Sequence, residues 1–258
     1  MSPVAAADVA ALRARTGVGI LDAKNALDEA KGDQELAIEL LRKKGKAQAV
    51  KKAGREQTEG AIFIATDALK AALVQVRCET DFVGRSEVFL KFGQDLADVL
   101  LKKGKAAFDA YASEKVPAAV LELGENISLA ETKEANAAVL GTYVHSNRKI
   151  GVIVGLTAGT KEQASDAAMH AAAMNPLYVR PEEVSQDSVS KEKEIWKEQM
   201  KGDKKPPEIL EKIMFGKEKK FREENALLTQ PFAKDPSQTV GKMLGGADVT
   251  VYSRVSFG

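Results

Sequence analysis

Leu73-Val74-Gln75-Val76-Arg77-Cys78-Glu79-Thr80-Asp81-Phe82-Val83 changes character partway along. Its first half is an alternating apolar run, the two-residue repeat of a strand with one buried face. A polar Glu79-Thr80-Asp81 step follows, with Gly84-Arg85-Ser86 soon after. Thr and Asp are residues that open helices, because their side-chain oxygens accept the unpaired N–H groups of a first turn. The stretch therefore predicts a strand that leads directly into a helix entrance. An aromatic at such a point has two readings. Phe82 is either a core residue at a helix start or a protruding apolar wedge for a partner.

Outward from this stretch the chain reads as a repeat. Upstream, 60–66 is a strand, 67–70 a turn and 71–78 the returning strand of a hairpin. Downstream, 86–103 carries Val88, Phe89, Phe92, Leu96, Val99 and Leu100 at helical spacing. After an insertion, 127–132 is a third strand. The second copy has a strand at 140–145, a turn at Ser146-Asn147-Arg148 and a strand at 150–156. An alanine-rich helix at 161–174 follows, and the copy ends on an alternating strand at 249–257. Hairpin, helix and third strand, twice, predicts an α+β core of two related subdomains, each an antiparallel sheet covered by helices.

Before the core lie three short helices. Ala7-Asp8 opens the first, and Thr16-Gly17-Val18-Gly19 breaks it. The second puts Ile20, Ala23, Leu27 and Ala30 on one face. Gly32-Asp33 reads as a stop followed by an N-cap, and Leu36, Ile38, Leu40 and Leu41 give the third its apolar side. The basic end, Arg42-Lys43-Lys44-Gly45-Lys46 with Lys51, Lys52 and Arg55, reads as a solvated helical linker. A nucleic-acid patch is the less favoured alternative, since no aromatics interleave. Within the second copy, 184–221 is highly charged with sparse apolar points such as Val189, Ile195, Trp196, Ile209 and Met214. Pro206-Pro207 cannot continue a helix, so the segment predicts a projecting helical hairpin, either a structural arm or one that seeks a partner. The expected division is 1–55, 56–139 and 140–258, with the hairpin at 184–221.

Composition narrows the function. Of 258 residues, 44% are apolar but only 5% aromatic, so the core is mostly Ala, Val, Leu and Ile. Charged residues reach 29% and nearly cancel, to +1, which gives no bulk attraction for nucleic acid. No apolar run approaches the about 18 residues of a membrane span, and the N-terminus lacks the pattern of a signal peptide. The lone Cys78 excludes an internal disulfide and points to a reducing cytoplasm, where it is expected to be a buried, inert thiol. No phosphate-binding loop or dinucleotide fingerprint is present. His145 and His170 have no metal-ligand neighbours at helical spacing, and no Ser-His-Asp nucleophile pattern appears. The chain reads as a binding protein without cofactor or metal, not an enzyme. An enzyme with a cleft between the subdomains would need a convergent acid and base, which the sequence does not offer. An adaptor built on the N-terminal helices would leave Thr80 to Val83 idle.

Several stretches, taken in order, carry a resemblance. They are Leu12-Arg13 with 16–27, then Gly32-Asp33 and Ala37-Ile38, then Cys78-Glu79-Thr80-Asp81-Phe82-Val83. Further along come Gly124-Glu125-Asn126-Ile127, Tyr143-Val144-His145, Ala168-Met169-His170, Gln230-Pro231-Phe232 and Thr239-Val240-Gly241. Together they resemble the bacterial elongation factor Ts family, guanine-nucleotide exchange factors of the GTPase elongation factor Tu. The resemblance implies a UBA-like N-terminal three-helix domain, a two-subdomain core and a protruding coiled-coil hairpin similar to the family's dimerisation module. Dimerisation through the core or the hairpin stays open. The chain ends just after the last strand, so the extra C-terminal helical module of some members is expected to be absent. The resemblance also implies contact residues. Arg13, Ile20, Leu21 and Lys24 match positions that meet the GTPase's nucleotide domain. Asp81 and Phe82, between Thr80 and Val83, match the pair that enters near its magnesium and switch region. Gly124, with Leu123 and Asn126 beside it, matches a core contact, and His145 a second interface. No direct nucleic-acid or membrane partner is implied.

Overall fold

The computed structural model describes residues 4–201 and 206–257. Three helices, α1 (Ala6–Thr16), α2 (Ile20–Glu29) and α3 (Gln34–Lys52), come first. Asp33 caps α3 by accepting the N–H groups of Glu35 and Leu36, which satisfies donors that a first turn leaves unpaired. Leu12, Ala23, Leu27, Ala37 and Leu41 bury where the helices meet. Two expected core positions are corrected. Ile20 and Leu36 are 63% and 43% exposed, because Ala23 and Ala37 supply the close contact faces instead. The basic end of α3 is largely occupied. Arg42 pairs with Glu114, Lys43 with Glu39 and Lys44 with Asp22.

The core begins with β1 (Glu59–Thr66) and β2 (Lys70–Cys78), followed by a single turn of helix, α4 (Asp81–Gly84), and the long α5 (Glu87–Leu123). The helix expected to end at 103 runs on to Leu123, bent at Gly104 (φ 73°). Its second half was hidden because small and charged residues dilute the apolar stripe. There Phe108, Ala112, Ala119 and Val120 bury. This half carries the N-terminal helices, since α3 lies along it with Gly45 against the Pro117 carbonyl. β3 (Ser128–Asn136) completes the first sheet and is longer than expected.

The second sheet is β4 (Val139–Val144), β5 (Ile150–Leu156) and β8 (Val249–Ser256), with α6 (Lys161–Met174) after β5. Both sheets are antiparallel with the hairpin's second strand in the middle, in the orders β1-β2-β3 and β4-β5-β8. One face of the first sheet, with Phe63, Val74 and Val76, packs on Phe89, Leu96 and Leu100 of α5. The matching face of the second, with Val152 and Val154, packs on the alanines of α6. The other two faces stack on each other. Ile62, Leu73 and Ala135 meet Leu140, Ile153 and Val255. Burying such aliphatic side chains is worth roughly 1.5–3 kcal/mol each, so the two halves share a core.

The arm is α7 (Gln186–Gln199) and α8 (Pro207–Glu224). Trp196 meets Phe221 edge-on at 5.9 Å, and Lys193 pairs with Glu218 at 2.6 Å. At the base, Arg222 donates to the Val184 carbonyl at 2.9 Å and bonds Glu218. Ile195 and Ile209 lie about half exposed. The expected turn at 201–207 falls largely on residues outside those described. A small hairpin, β6 (Pro231–Phe232) with β7 (Asp235–Thr239), and a helical turn, α9 (Val240–Met243), close over α6. No described helix is long and apolar enough to cross a membrane.

Candidate partner-binding site

α4 breaks the usual burial of a large aromatic. Phe82 is 84% exposed, so the core reading of this residue does not hold. Its neighbours explain how an apolar ring can be held outward. Val83 is half-buried and packs on the α5 side of the first sheet, and Gly84 is buried. Both anchor the turn from below. Thr80 caps it, its hydroxyl accepting the Val83 N–H. Ser86 caps α5 directly afterwards and donates its hydroxyl to the Val83 carbonyl at 2.8 Å. With the flanks fixed, positions 81 and 82 face out. Asp81 is half-exposed and pairs with Arg85 at 3.2 Å, a contact between exposed groups that adds little stability.

Beneath the turn lies a hydrogen-bonded frame that sequence reasoning missed. The Glu125 carboxylate accepts the N–H groups of Glu79 (2.9 Å) and Thr80 (3.1 Å) and the Thr80 hydroxyl (2.5 Å). In return the Glu79 carboxylate accepts the Asn126 N–H at 2.7 Å. Asn126 donates from its side chain to the carbonyls of Ala53 and Arg55. Lys52 donates to the Gly124 carbonyl at 2.6 Å. The end of α3, the segment after α5 and the approach to α4 are thus one network. Glu79 and Glu125 sit inside motifs already visible in the sequence. What the sequence lacks is any sign that each carboxylate faces the other segment's amides.

These positions sort the expected contact residues. Arg13, Ile20, Leu21 and Lys24 are exposed on α1 and α2, where Arg13 also donates to the Val18 carbonyl. These helices pack chiefly on one another and on α3, which lies along α5. Gly124 is exposed at the end of α5 with φ 76°, a conformation glycine adopts without penalty. Two expected contact positions expose less surface than the others. Asn126 is only 5% exposed and its amide is committed to α3's end, while Leu123 is half-buried against the core. Asn126 therefore offers little surface, and Leu123 a part of its side chain. His145 is exposed at the end of β4, its Nδ1 3.1 Å from the Tyr143 hydroxyl. The turn after it does come near α4. Ser146, Asn147, Arg148 and Lys149 share a groove with Asp81, Gly84 and Arg85. Lys149 fixes that turn by donating to Glu59 and to the Gly60 carbonyl.

Among the described residues no group of three or more His, Cys, Asp or Glu side chains could hold a metal. Cys78 is buried beneath α4 and donates to the Thr80 carbonyl. Burial, with the Glu125 charge adding to it, pushes its thiol up to about 12, far from a reactive thiolate. His170 is buried on α6. Its Nδ1 accepts the Ala233 N–H and its Nε2 faces the Gln230 oxygen at 2.9 Å, so it staples the small hairpin to α6.

Comparison with known proteins gives the family. The family model for Elongation factor TS matches residues 79–258, a span that starts at the frame. Elongation factor Ts of Aeromonas salmonicida is 44% identical over 270 residues, covering 100% of this chain and 92% of that protein. The elongation factor Ts of Marinobacter nauticus is 42% identical over 266 residues, with the same coverage, and that of Pasteurella multocida is 42% identical over 263. Matched by the family model over most of its length and by these relatives throughout, the chain belongs to the elongation factor Ts family.

Proposed function

We propose that this chain binds the translational GTPase elongation factor Tu in its GDP form and promotes release of GDP, and so exchange for GTP, without making covalent bonds. It would act in the cytoplasm, needing no cofactor of its own. The observation that carries the reading is Phe82, 84% exposed on a turn held rigid from beneath. Leaving that ring in water is unfavourable, and a partner that buries it gains roughly 1.5–3 kcal/mol. In this mechanism Phe82 wedges between side chains near the GTPase's nucleotide site, and Asp81 approaches beside its magnesium. Magnesium holds near-ideal octahedral geometry at about 2.1 Å, so a small displacement weakens its bridge to the diphosphate. Ile20, Leu21, Arg13 and Lys24 hold the nucleotide domain from the phosphate-binding side, while Gly124 and His145 add contacts. Linkage makes the coupling reciprocal: a factor that lowers GDP affinity is itself expelled by GDP.

The test is release of a fluorescent GDP from elongation factor Tu followed by stopped flow. Adding this protein should speed release, and the isolated complex should come apart on adding excess GDP. A release rate unchanged at saturating protein, or a complex indifferent to GDP, would overturn the proposal.

A further inference from the structure

We propose that Glu125 is a positioning residue for Phe82, an inference that rests on the exchange reading above. Three observations converge on it. One carboxylate satisfies two consecutive backbone N–H groups and one hydroxyl, all on the two residues that precede α4. The same Thr80 hydroxyl caps α4 through the Val83 N–H, so Glu125 sets the oxygen that sets the turn. Glu125 is also flanked by Gly124 and Asn126, which are tied to Lys52, Ala53 and Arg55 at the end of α3. It therefore stands where the helices bearing Arg13, Ile20, Leu21 and Lys24 join the turn bearing Phe82. A wedge delivers its burial energy only when presented in one orientation, since a ring on a loose turn must first be ordered. Hydrogen bonds to an ionised carboxylate are the stronger kind, and three on one side chain fix the approach to α4.

The consequence is a split in kinetics. Without the carboxylate, the exposed residues of α1 and α2 still dock the GTPase, but Phe82 enters poorly. Glu125→Ala should lower the maximal GDP-release rate by about tenfold or more and leave the half-saturating concentration within about threefold. Glu125→Gln has a geometry that can replace the frame. Its oxygen can accept both N–H groups while its amide donates to the Thr80 hydroxyl, so it should recover most of the rate. In a Phe82→Ala background Glu125→Ala should cost nothing further, because the side chain it positions is gone. Amide exchange should rise at Glu79, Thr80 and Val83 and stay level in α6 and β5.

Several outcomes would overturn the inference. One is a maximal rate unchanged in Glu125→Ala. Another is an equal loss in the presence and absence of Phe82. A third is a loss confined to half-saturation. If Glu125→Ala does not fold, Thr80→Val decides, since it keeps the volume and removes only the hydroxyl. It should slow maximal release at least threefold, and a wild-type rate would remove the proposal. A wild-type rate in Phe82→Ala alone removes the wedge and this inference with it, whereas no acceleration of GDP release by the wild-type protein removes the exchange reading itself, so the two failures are distinguishable.

Discussion

Replacing Phe82 with alanine should separate stability from function. In the free protein the ring is 84% exposed and buries almost nothing. Its loss opens no cavity, and surface substitutions away from special features usually stay within about 0.5 kcal/mol. For a chain of this size that is a shift in Tm of about 2 °C or less. In the complex the ring is the burial that is lost. At roughly 1.5–3 kcal/mol for a buried Phe, felt only in the state that releases GDP, the rate should fall roughly 10- to 150-fold, since about 1.4 kcal/mol is one decade. Phe82→Leu, which keeps an apolar side chain of similar reach, should lose much less. The assay pairs thermal unfolding with stopped-flow release of fluorescent GDP at saturating protein. Release within twofold of wild type from a folded variant refutes the wedge. A fall in Tm well beyond 5 °C refutes the other half of the reasoning, for it would mean that Phe82 belongs to the core after all.

Other outcomes follow from particular contacts. Gly45→Ala would set a methyl 2.7 Å from the Pro117 carbonyl oxygen. The gain of about 1 kcal/mol in helix propensity should be outweighed, for a net loss of about 1–2 kcal/mol that loosens α3 from α5. Gly216→Ala in α8 meets open space and should stabilise by about 0.5–1 kcal/mol. If chemical denaturation ranks the two variants the other way, the packing argument fails. Burial holds the His170 pKa below the usual imidazole value, with the Gln230 bond opposing weakly. Its neutral form is therefore favoured in the folded state. That contribution is present above about pH 6.5 and is lost as pH falls toward the lower, folded value. An NMR titration that places His170 at or above 6.5 would contradict this. Cys78, with a thiol pushed up to about 12, should resist alkylation at pH 8 in the native protein and react only at the rate of unfolding. Rapid stoichiometric labelling of the native chain would show that the cap over it is open.

The repeat was legible because each strand announces itself locally. β5 and α6 fall where the alternation and the alanine-rich stretch put them, at Ile150–Leu156 and Lys161–Met174. The second half of α5 was not, because its buried face is made of alanines with one phenylalanine and one valine, which leave no clear stripe. Ile20 shows the limit from the other side. It sits at core spacing yet is exposed, because periodicity marks a face and not what covers it.

Sequence alone determined most of the elements, their duplicated order, the helix starts at Asp33 and Thr80, and the family motifs, since each depends on residues within a few positions of one another. Tertiary structure decided three other things. It stacked the second faces of the two sheets on each other, it turned Phe82 outward over a half-buried Val83, and it set Glu79 and Glu125 against each other's backbone. These pairings join segments more than forty residues apart. A carboxylate in a sequence carries no mark of which amide it will meet. Only the packing of β2 beside the end of α5 brings the two within hydrogen-bonding reach.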